Sequence, residues 1–286
     1  MKEMRLRNWL FWFPLALAAC QEVGPPVNLG LNAANKSDTT YVEGFADAPQ
    51  QRKALLEEFT GVRCVNCPRA HTTIINLQAT YPGQIVPVGI HTGQFATPYS
   101  GRNDFRIPEG NNLENLLGGA QGYPSGSINR TKFPSENHII ISDQKWSNYI
   151  GNELQGNPEA NVSIAKELDL TNNQVGLEVK VKLNLAQSEA LHLTMYVVEN
   201  DIEDWQLTPA GVDSAYLHKH VLRQCITPYN GENLAAPSLE ANRVFIYNYV
   251  VDLKPEWNLS NTKVVAFVHR IGQVPQVLQA AYVALN

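Results

Sequence analysis

Glu57-Glu58-Phe59-Thr60-Gly61-Val62-Arg63-Cys64-Val65-Asn66-Cys67-Pro68 is the stretch on which the fold turns. Arg52 to Thr60 reads as a strand, although its Leu and Glu residues would also suit a helix. From Pro68 to Tyr81 the apolar residues Ala70, Ile74, Ile75, Leu77 and Ala79 recur at helical spacing, and Pro82-Gly83 is a stop signal. Cys64 and Cys67 therefore lie where a strand hands over to a helix. Unpaired backbone N–H groups and the helix macrodipole favour a thiolate at such a place. Cys64 is the expected attacking sulfur, with Arg63 adding positive charge beside it. Cys67, one turn inside the helix, is placed to resolve a mixed disulfide. Pro68 suits the first helical turn, where an N–H has no partner to lose.

Working outward, Ile85 to Ile90 is a buried-strand run and Asn112 to Leu117 a short helix candidate ending at Gly118-Gly119. Pro124 to Asn129 leads into a strand, His138 to Ser142 is another, and Gln144 to Leu154 reads as a helix. Residues 92–111 form an insertion rich in Gly, Asn, Thr and Pro. This order predicts an α/β thioredoxin-like domain over residues 50–157. Tyr123-Pro124 precedes a strand at the position where such folds hold a cis-proline against the dithiol. Glu58 lies six residues before Cys64, where thioredoxins carry a buried acid, and is a candidate proton donor and acceptor for Cys67. The alternative is that Glu57 or Glu58 is a solvated strand residue.

From about residue 158 the period changes to two. Val175, Leu177, Val179, Val181, Leu183 and Leu185 alternate with other residues, as do Leu191, Leu193, Met195 and Val197. Further strands are predicted within 244–251, 263–268 and 277–283. An all-β, immunoglobulin-like sandwich over 158–286 follows, with the boundary near Gln155-Gly156-Asn157-Pro158.

The N-terminus reads as an export leader. Lys2, Arg5 and Arg7 precede an apolar run of 11 residues, Trp9 to Ala19, too short for a stable bilayer span. Leu17-Ala18-Ala19-Cys20 resembles the bacterial lipobox, which makes residues 1–19 a signal peptide and Cys20 the lipidation site. Residues 20–49, rich in Gly, Pro, Asn, Ala and Asp, read as a flexible tether. The net charge of −5 becomes −7 once the leader takes away three basic residues and one acidic residue, which argues against a nucleic-acid partner. Gln21, not Asp, follows Cys20 and favours the outer membrane, with the chain facing the periplasm or the cell surface.

The quoted stretch resembles the signature of the outer membrane protein 28-related lipoprotein family. Gly122-Tyr123-Pro124-Ser125-Gly126 with Asn129-Arg130, and Tyr216-Leu217-His218-Lys219-His220-Val221-Leu222-Arg223, are similar to two further family segments. The resemblance implies a lipoprotein with a thioredoxin-like domain and a C-terminal β domain. Arg63 departs from the Trp that many thioredoxins carry before the first cysteine.

Three readings of the dithiol follow. In thiol–disulfide exchange with exported protein thiols or disulfides, Cys64, Cys67, Pro124 and Glu58 form the site. In a surface binding or adhesion lipoprotein, the cysteines are a structural staple. In metal handling, Cys64, Cys67 and His71 supply ligands to zinc or copper; otherwise His71 is a helix residue lining the cleft. His218 and His220 would share a face if both stood on one strand. Cys225 is left over, as a small buried hydrophobe or the half of an intermolecular bond. No cofactor is expected, and the lack of a glycine-rich phosphate loop, of paired carboxylates at a recognisable catalytic spacing and of a Gly-x-Ser-x-Gly elbow argues against other enzyme classes.

Overall fold

β2 (Ala54–Thr60) and β3 (Ile85–His91) are buried along their whole length and run parallel, Ala54 opposite Ile85 and Thr60 opposite His91. The helix between them, α1 (Cys67–Thr80), makes the crossover. Parallel strands covered on both faces read as continuous apolar runs, which is why the sequence marks them well. Along β2 the side chains alternate between two cores. Ala54 and Leu56 pack beneath Ala70, Ile74 and Leu77 of α1. Leu55 and Phe59 point the other way, into a second core with Val86, Val88 and Ile90 of β3.

The structure is a computed structural model and describes residues 38–286. The expected leader, Cys20 and the first part of the expected tether lie outside these residues. Thr39–Val42, also expected in the tether, form a strand instead, β1. This Thr-Thr-Tyr-Val run has the residue types that suit a pleated surface. Its register partners are Ile246 to Arg243.

After β3 come α2 (Gly110–Leu116), β4 (Ser125–Ile128), β5 (Ile141–Ser142) and α3 (Trp146–Glu153). Only the last two residues of the expected 138–142 strand pair as a strand; Ile139 and Ile140 are buried core residues outside it. Ten further strands follow: β6 (Ala160–Asp169), β7 (Gln174–Leu183), β8 (Leu191–Glu199), β9 (Ile202–Thr208), β10 (Gly211–His218), β11 (Val221–Cys225), β12 (Glu232–Asn233), β13 (Arg243–Asp252), β14 (Thr262–Arg270) and β15 (Val277–Ala284).

The described chain is mostly β-structure, spread over several sheets. β1-β13-β7-β6 form one, and β9 and β10 pair as a hairpin of their own. The largest runs β15-β14-β8-β11-β3-β2-β4-β5, with β12 beside β8. The sequence separates an α/β unit from a β-sandwich near residue 157, yet this largest sheet draws strands from both sides of that point. The join is β11, which pairs antiparallel with β8 and meets β3 in parallel at Val221 opposite Gly89. The alternating residues of β7 and β8, Val175 to Leu183 and Leu191 to Val197, share one buried core. Leu185 falls beyond the end of β7 and is exposed.

A buried ion pair binds these parts together. Glu57 and Arg130 are both 0% exposed. Arg130 Nε donates to Glu57 Oε2 at 2.8 Å and Nη2 to Oε1 at 2.7 Å. Nη2 also donates to the Tyr196 hydroxyl of β8 at 3.1 Å, and the guanidinium lies over the Phe267 ring of β14. Burial works against the charge on Arg130, but the adjacent Glu57 outweighs it and holds the pKa above its ordinary value. Asn129 and Arg130 both take left-handed backbone angles, φ 48° and 51°. Asn129 Oδ1 accepts from Leu55 N, its Nδ2 donates to Glu153, and its carbonyl accepts from Val277 N. Two residues thus tie the end of β4 to β2, α3, β8 and β15.

Removing one partner of a buried pair leaves an uncompensated charge, at a cost of roughly 3–5 kcal/mol. Arg130→Met should lower unfolding stability by about that amount in urea denaturation. The double variant Glu57→Leu/Arg130→Met should recover much of the loss. Equal losses in both variants would contradict this account of the pair.

Candidate functional site

The site is built where β2 ends. Gly61 follows Thr60, and a Cβ there would come within 2.4 Å of the Phe95 backbone, so only glycine lets the insertion cross at this point. Cys64 N donates to Gly61 O, closing a turn, and Cys67 N donates to Cys64 O as α1 begins. Cys64 and Cys67 are joined as a disulfide, with their Cα atoms 5.4 Å apart. Phe59 pairs with Ser125 across the β2–β4 ladder, which sets Pro124 level with Thr60. The Tyr123-Pro124 peptide bond is cis.

Both cysteines are buried, Cys64 at 3% exposure and Cys67 at 0%, whereas Val65 between them is exposed. Two covers account for this. The first is the insertion. Arg63 N donates to Phe95 O, and its guanidinium donates to the carbonyls of Thr97 and Pro98 and stacks over the Tyr99 ring. Its charge is thereby directed onto the insertion. The second cover is the β9–β10 hairpin, which the sequence did not connect with the dithiol. Leu207 N donates to Val62 O at 2.8 Å. The buried Gln206 side chain donates through Nε2 to Cys64 O at 3.1 Å and to Gly61 O at 3.4 Å. Asp204, in the same strand, accepts from the backbone and side-chain nitrogens of Asn103, binding hairpin and insertion into one lid.

Glu57 and Glu58 are neighbours on a strand and so point to opposite faces. Neither is solvated. Glu57 serves the Arg130 pair. Glu58, 2% exposed, faces α1, with its Oε1 3.2 Å from His71 Nε2. His71 stands four residues after Cys67, on the same helix face. Its Nε2 also lies 3.3 Å from the Thr60 hydroxyl, and its Nδ1 2.5 Å from the hydroxyl of Tyr216 on β10. Burial, together with the charge of Glu58, pushes the Tyr216 pKa up. Both ring nitrogens of His71 thus have partners. Among the described residues no group of three or more His, Cys, Asp or Glu side chains is placed to hold a metal ion.

His218 and His220 do not share a strand. His218 ends β10 and packs against Phe105 and His91, while His220 follows it with a left-handed φ of 58°. Burial pushes the pKa of His218 down to about 4, and those of His91 and His220 well below the usual imidazole value. All three are therefore neutral near pH 7. Cys225 is half-buried on β11, with burial raising its thiol to about 12.

A cavity of about 300 Å³ opens beside Pro124, lined by Arg69, Tyr123, Ser125, Ser142 and Asp143 among others. Arg69 Nε and Nη2 donate to the two Asp143 carboxylate oxygens at 3.0 and 2.9 Å, fixing one wall. The buried Ser125 hydroxyl has no hydrogen-bond partner among the described residues.

A protein-family model described as outer membrane protein Omp28 matches residues 113–286. None of the curated proteins matches the chain. Among solved structures, HBP35 of Porphyromonas gingivalis is similar at a TM-score of 0.65 and 22% identity, with 82% of this chain and 75% of that one covered. A protein from Agrobacterium tumefaciens is similar at a TM-score of 0.51 and 12% identity, with 84% and 97% covered. At these identities the likeness is one of fold.

Replacing the Gln206 amide removes its hydrogen bonds to the Gly61 and Cys64 carbonyls, which keep their backbone donors, at a cost of about 0.5–1.5 kcal/mol each. In Gln206→Leu, hydrogen exchange at the Leu207 amide should accelerate by roughly 5- to 100-fold as the lid opens locally. Unchanged protection of Leu207 would mean that the hairpin is held by other contacts.

Proposed function

The chain belongs to the Omp28 outer membrane protein family, and from that premise we propose that it is a lipid-anchored thiol–disulfide exchange protein of the cell envelope, with a thioredoxin-like site at Cys64 and Cys67. One observation carries the reading. A disulfide joins the loop after β2 to the start of α1, with Pro124 level with the last residue of β2 and a buried carboxylate, Glu58, on the helix-facing side of the same strand. A structural cross-link needs neither the proline nor the acid.

The exchange runs as follows. A thiolate of an exported protein attacks Sγ of Cys64. The Cys64–Cys67 bond breaks, its electron pair leaves on Cys67, and that sulfur takes a proton with Glu58 as donor. A second thiolate of the partner then attacks its own sulfur in the mixed disulfide and releases Cys64. The partner loses two electrons and becomes a disulfide, and the cysteine pair becomes a dithiol. The reverse sequence reduces a partner. Because Cys64 is covered, attack requires the β9–β10 hairpin to swing off the Gly61–Cys64 loop. The cavity beside Pro124 suits an extended segment of the partner. No helix of the described residues is long and apolar enough to cross a membrane, and the proposed attachment is acylation of Cys20.

The burial of both sulfurs favours a second reading, in which the bond is a permanent staple and the chain is a surface binding protein. A redox titration separates the two. In graded dithiol buffers, with alkylation and mass spectrometry, exchange predicts a midpoint above about −300 mV and oxidation of a reduced model protein. A lower midpoint with no exchange would overturn it in favour of the staple.

A further inference from the structure

The β9–β10 hairpin is an arm on a fixed base. Its two ends meet at Asn200 and His220, where His220 N donates to the Asn200 side chain at 2.9 Å. Asn200 N donates to Asn261 O and His220 O accepts from Gly89 N, which ties the base to the residue before β14 and to β3. Lys219 pairs with Asp201 across the same base. Beyond it, the arm lies on a cluster of rings. His218, the last residue of β10, packs against Phe105 of the insertion and His91 of β3, with ring centroids 4.8 and 5.8 Å apart, and His91 packs against Phe105 at 5.0 Å. His91 and His218 are buried, and none of their four ring nitrogens has a hydrogen-bond partner among the described residues. A buried polar group left so is a standing cost. Apolar rings would fill the same space without it.

We propose that His218 and His91 make the cover acid-sensitive: protonation of either imidazole drives the β9–β10 arm off Phe105, and with it Gln206 and Leu207 off the Cys64 loop. Release of the cover needs no turnover of the bond beneath it, and so stands apart from the exchange reading.

Few neighbours can compensate a positive charge at this place. His218 faces Asp204 of β9, which favours its protonation, and His71 of α1, which opposes it. Asp204 is already engaged by Asn103 and lies 3.9 Å from the Arg102 guanidinium. The Tyr216 ring meets His218 at 5.0 Å, and its raised pKa keeps it uncharged. His91 faces His218, His71 and Arg223 of β11. Arg106 bridges the His91 backbone, but its guanidinium is paired with Asp104. His220 faces Lys219, Lys263 of β14 and His71. Its backbone belongs to the base, so it stays covered when the arm lifts.

Burial is the leading cause that holds His218 at about 4 and His91 well below the usual imidazole value. A base whose pKa is depressed in the closed state binds more protons in the open state. Closure is therefore strongest above the ordinary imidazole value of about 6.5 and weakens as pH falls toward the closed-state value. From His218 alone the opening constant should rise roughly 20-fold between pH 7 and pH 5, and His91 adds to it.

The test is amide hydrogen exchange in the full chain, corrected for its intrinsic pH dependence, at Leu207, whose N–H donates to Val62 O. From pH 7 to pH 5 protection there should fall roughly 20-fold or more. Leu55 of β2 should stay better protected at each pH, as local opening requires. In His218→Phe, which keeps a ring against Phe105 and cannot be charged, the fall should shrink, and in His91→Phe/His218→Phe protection should be flat with pH. NMR of the native chain should show the His218 imidazole still neutral at pH 5.5, a reading that needs no variant to fold. The switch would be overturned by protection at Leu207 that ignores pH or equals that at Leu55, by a fall as large in the double variant as in the native chain, or by a His218 that titrates near its ordinary value. Reduction of Cys64–Cys67 enters none of these readouts, so a bond that never exchanges leaves the switch standing, and a failed switch leaves the exchange reading untouched.

Discussion

Two adjacent carboxylates stand on one strand that is buried on both faces, and each must find its own partner on its own side of the sheet. Strand geometry sends Glu57 and Glu58 in opposite directions, and the rest of the molecule is arranged to receive them. On one face Arg130 meets Glu57 with two hydrogen bonds, with Tyr196 and Phe267 completing the contact from β8 and β14. On the other, Glu58 approaches His71 of α1. The first arrangement holds the protein together, and the second places an acid on the dithiol side of β2. The family-like pair Asn129-Arg130 gains a physical reason from this: its left-handed backbone turns one side chain onto β2's amide and the other onto its carboxylate.

The C-terminal half is part of the site rather than an appendage. The largest sheet passes through both halves, and β11 docks on β3 at the strand that leads into the insertion. From that anchor the β9–β10 hairpin reaches back over the Cys64 loop, with Gln206 and Leu207 bonding its backbone. The proposed exchange needs this cover to move. The cover here is a separate two-stranded unit, joined to the loop by a few hydrogen bonds, and such units open at lower free energy than central strands.

What the sequence made legible follows from which physics is local. The β2–α1–β3 unit and the placement of Cys64 and Cys67 are read from periodicity and neighbouring residue types, and Tyr123-Pro124 from its likeness to the thioredoxin pattern. β1 was hidden because four β-prone residues lay within a stretch whose composition suits a tether. His138 to Ile140 are as apolar as a strand but serve the core beside α2 without pairing. Arg63 was legible as a positive charge, but its carbonyl acceptors at Thr97 and Pro98 belong to an insertion whose path periodicity does not describe. The lid was out of reach for the same reason: Gln206 and Gly61 are 145 residues apart, and a polar residue in an alternating strand carries no sign of what it covers. The glutamate pair is intermediate, since strand parity separates the two roles only once the faces are known.

The central claim is that Cys64 is a reacting sulfur beneath a cover that yields. It is tested most directly by purified Cys67→Ser incubated with insulin, whose disulfides a Cys64 thiolate can attack. The hydroxyl that replaces the second thiol in this variant cannot resolve the mixed disulfide. The account predicts a covalent adduct, seen by mass spectrometry and lost on reduction, that Cys64→Ser does not form. A folded Cys67→Ser chain that keeps its Cys64 thiol free and forms no adduct would contradict it.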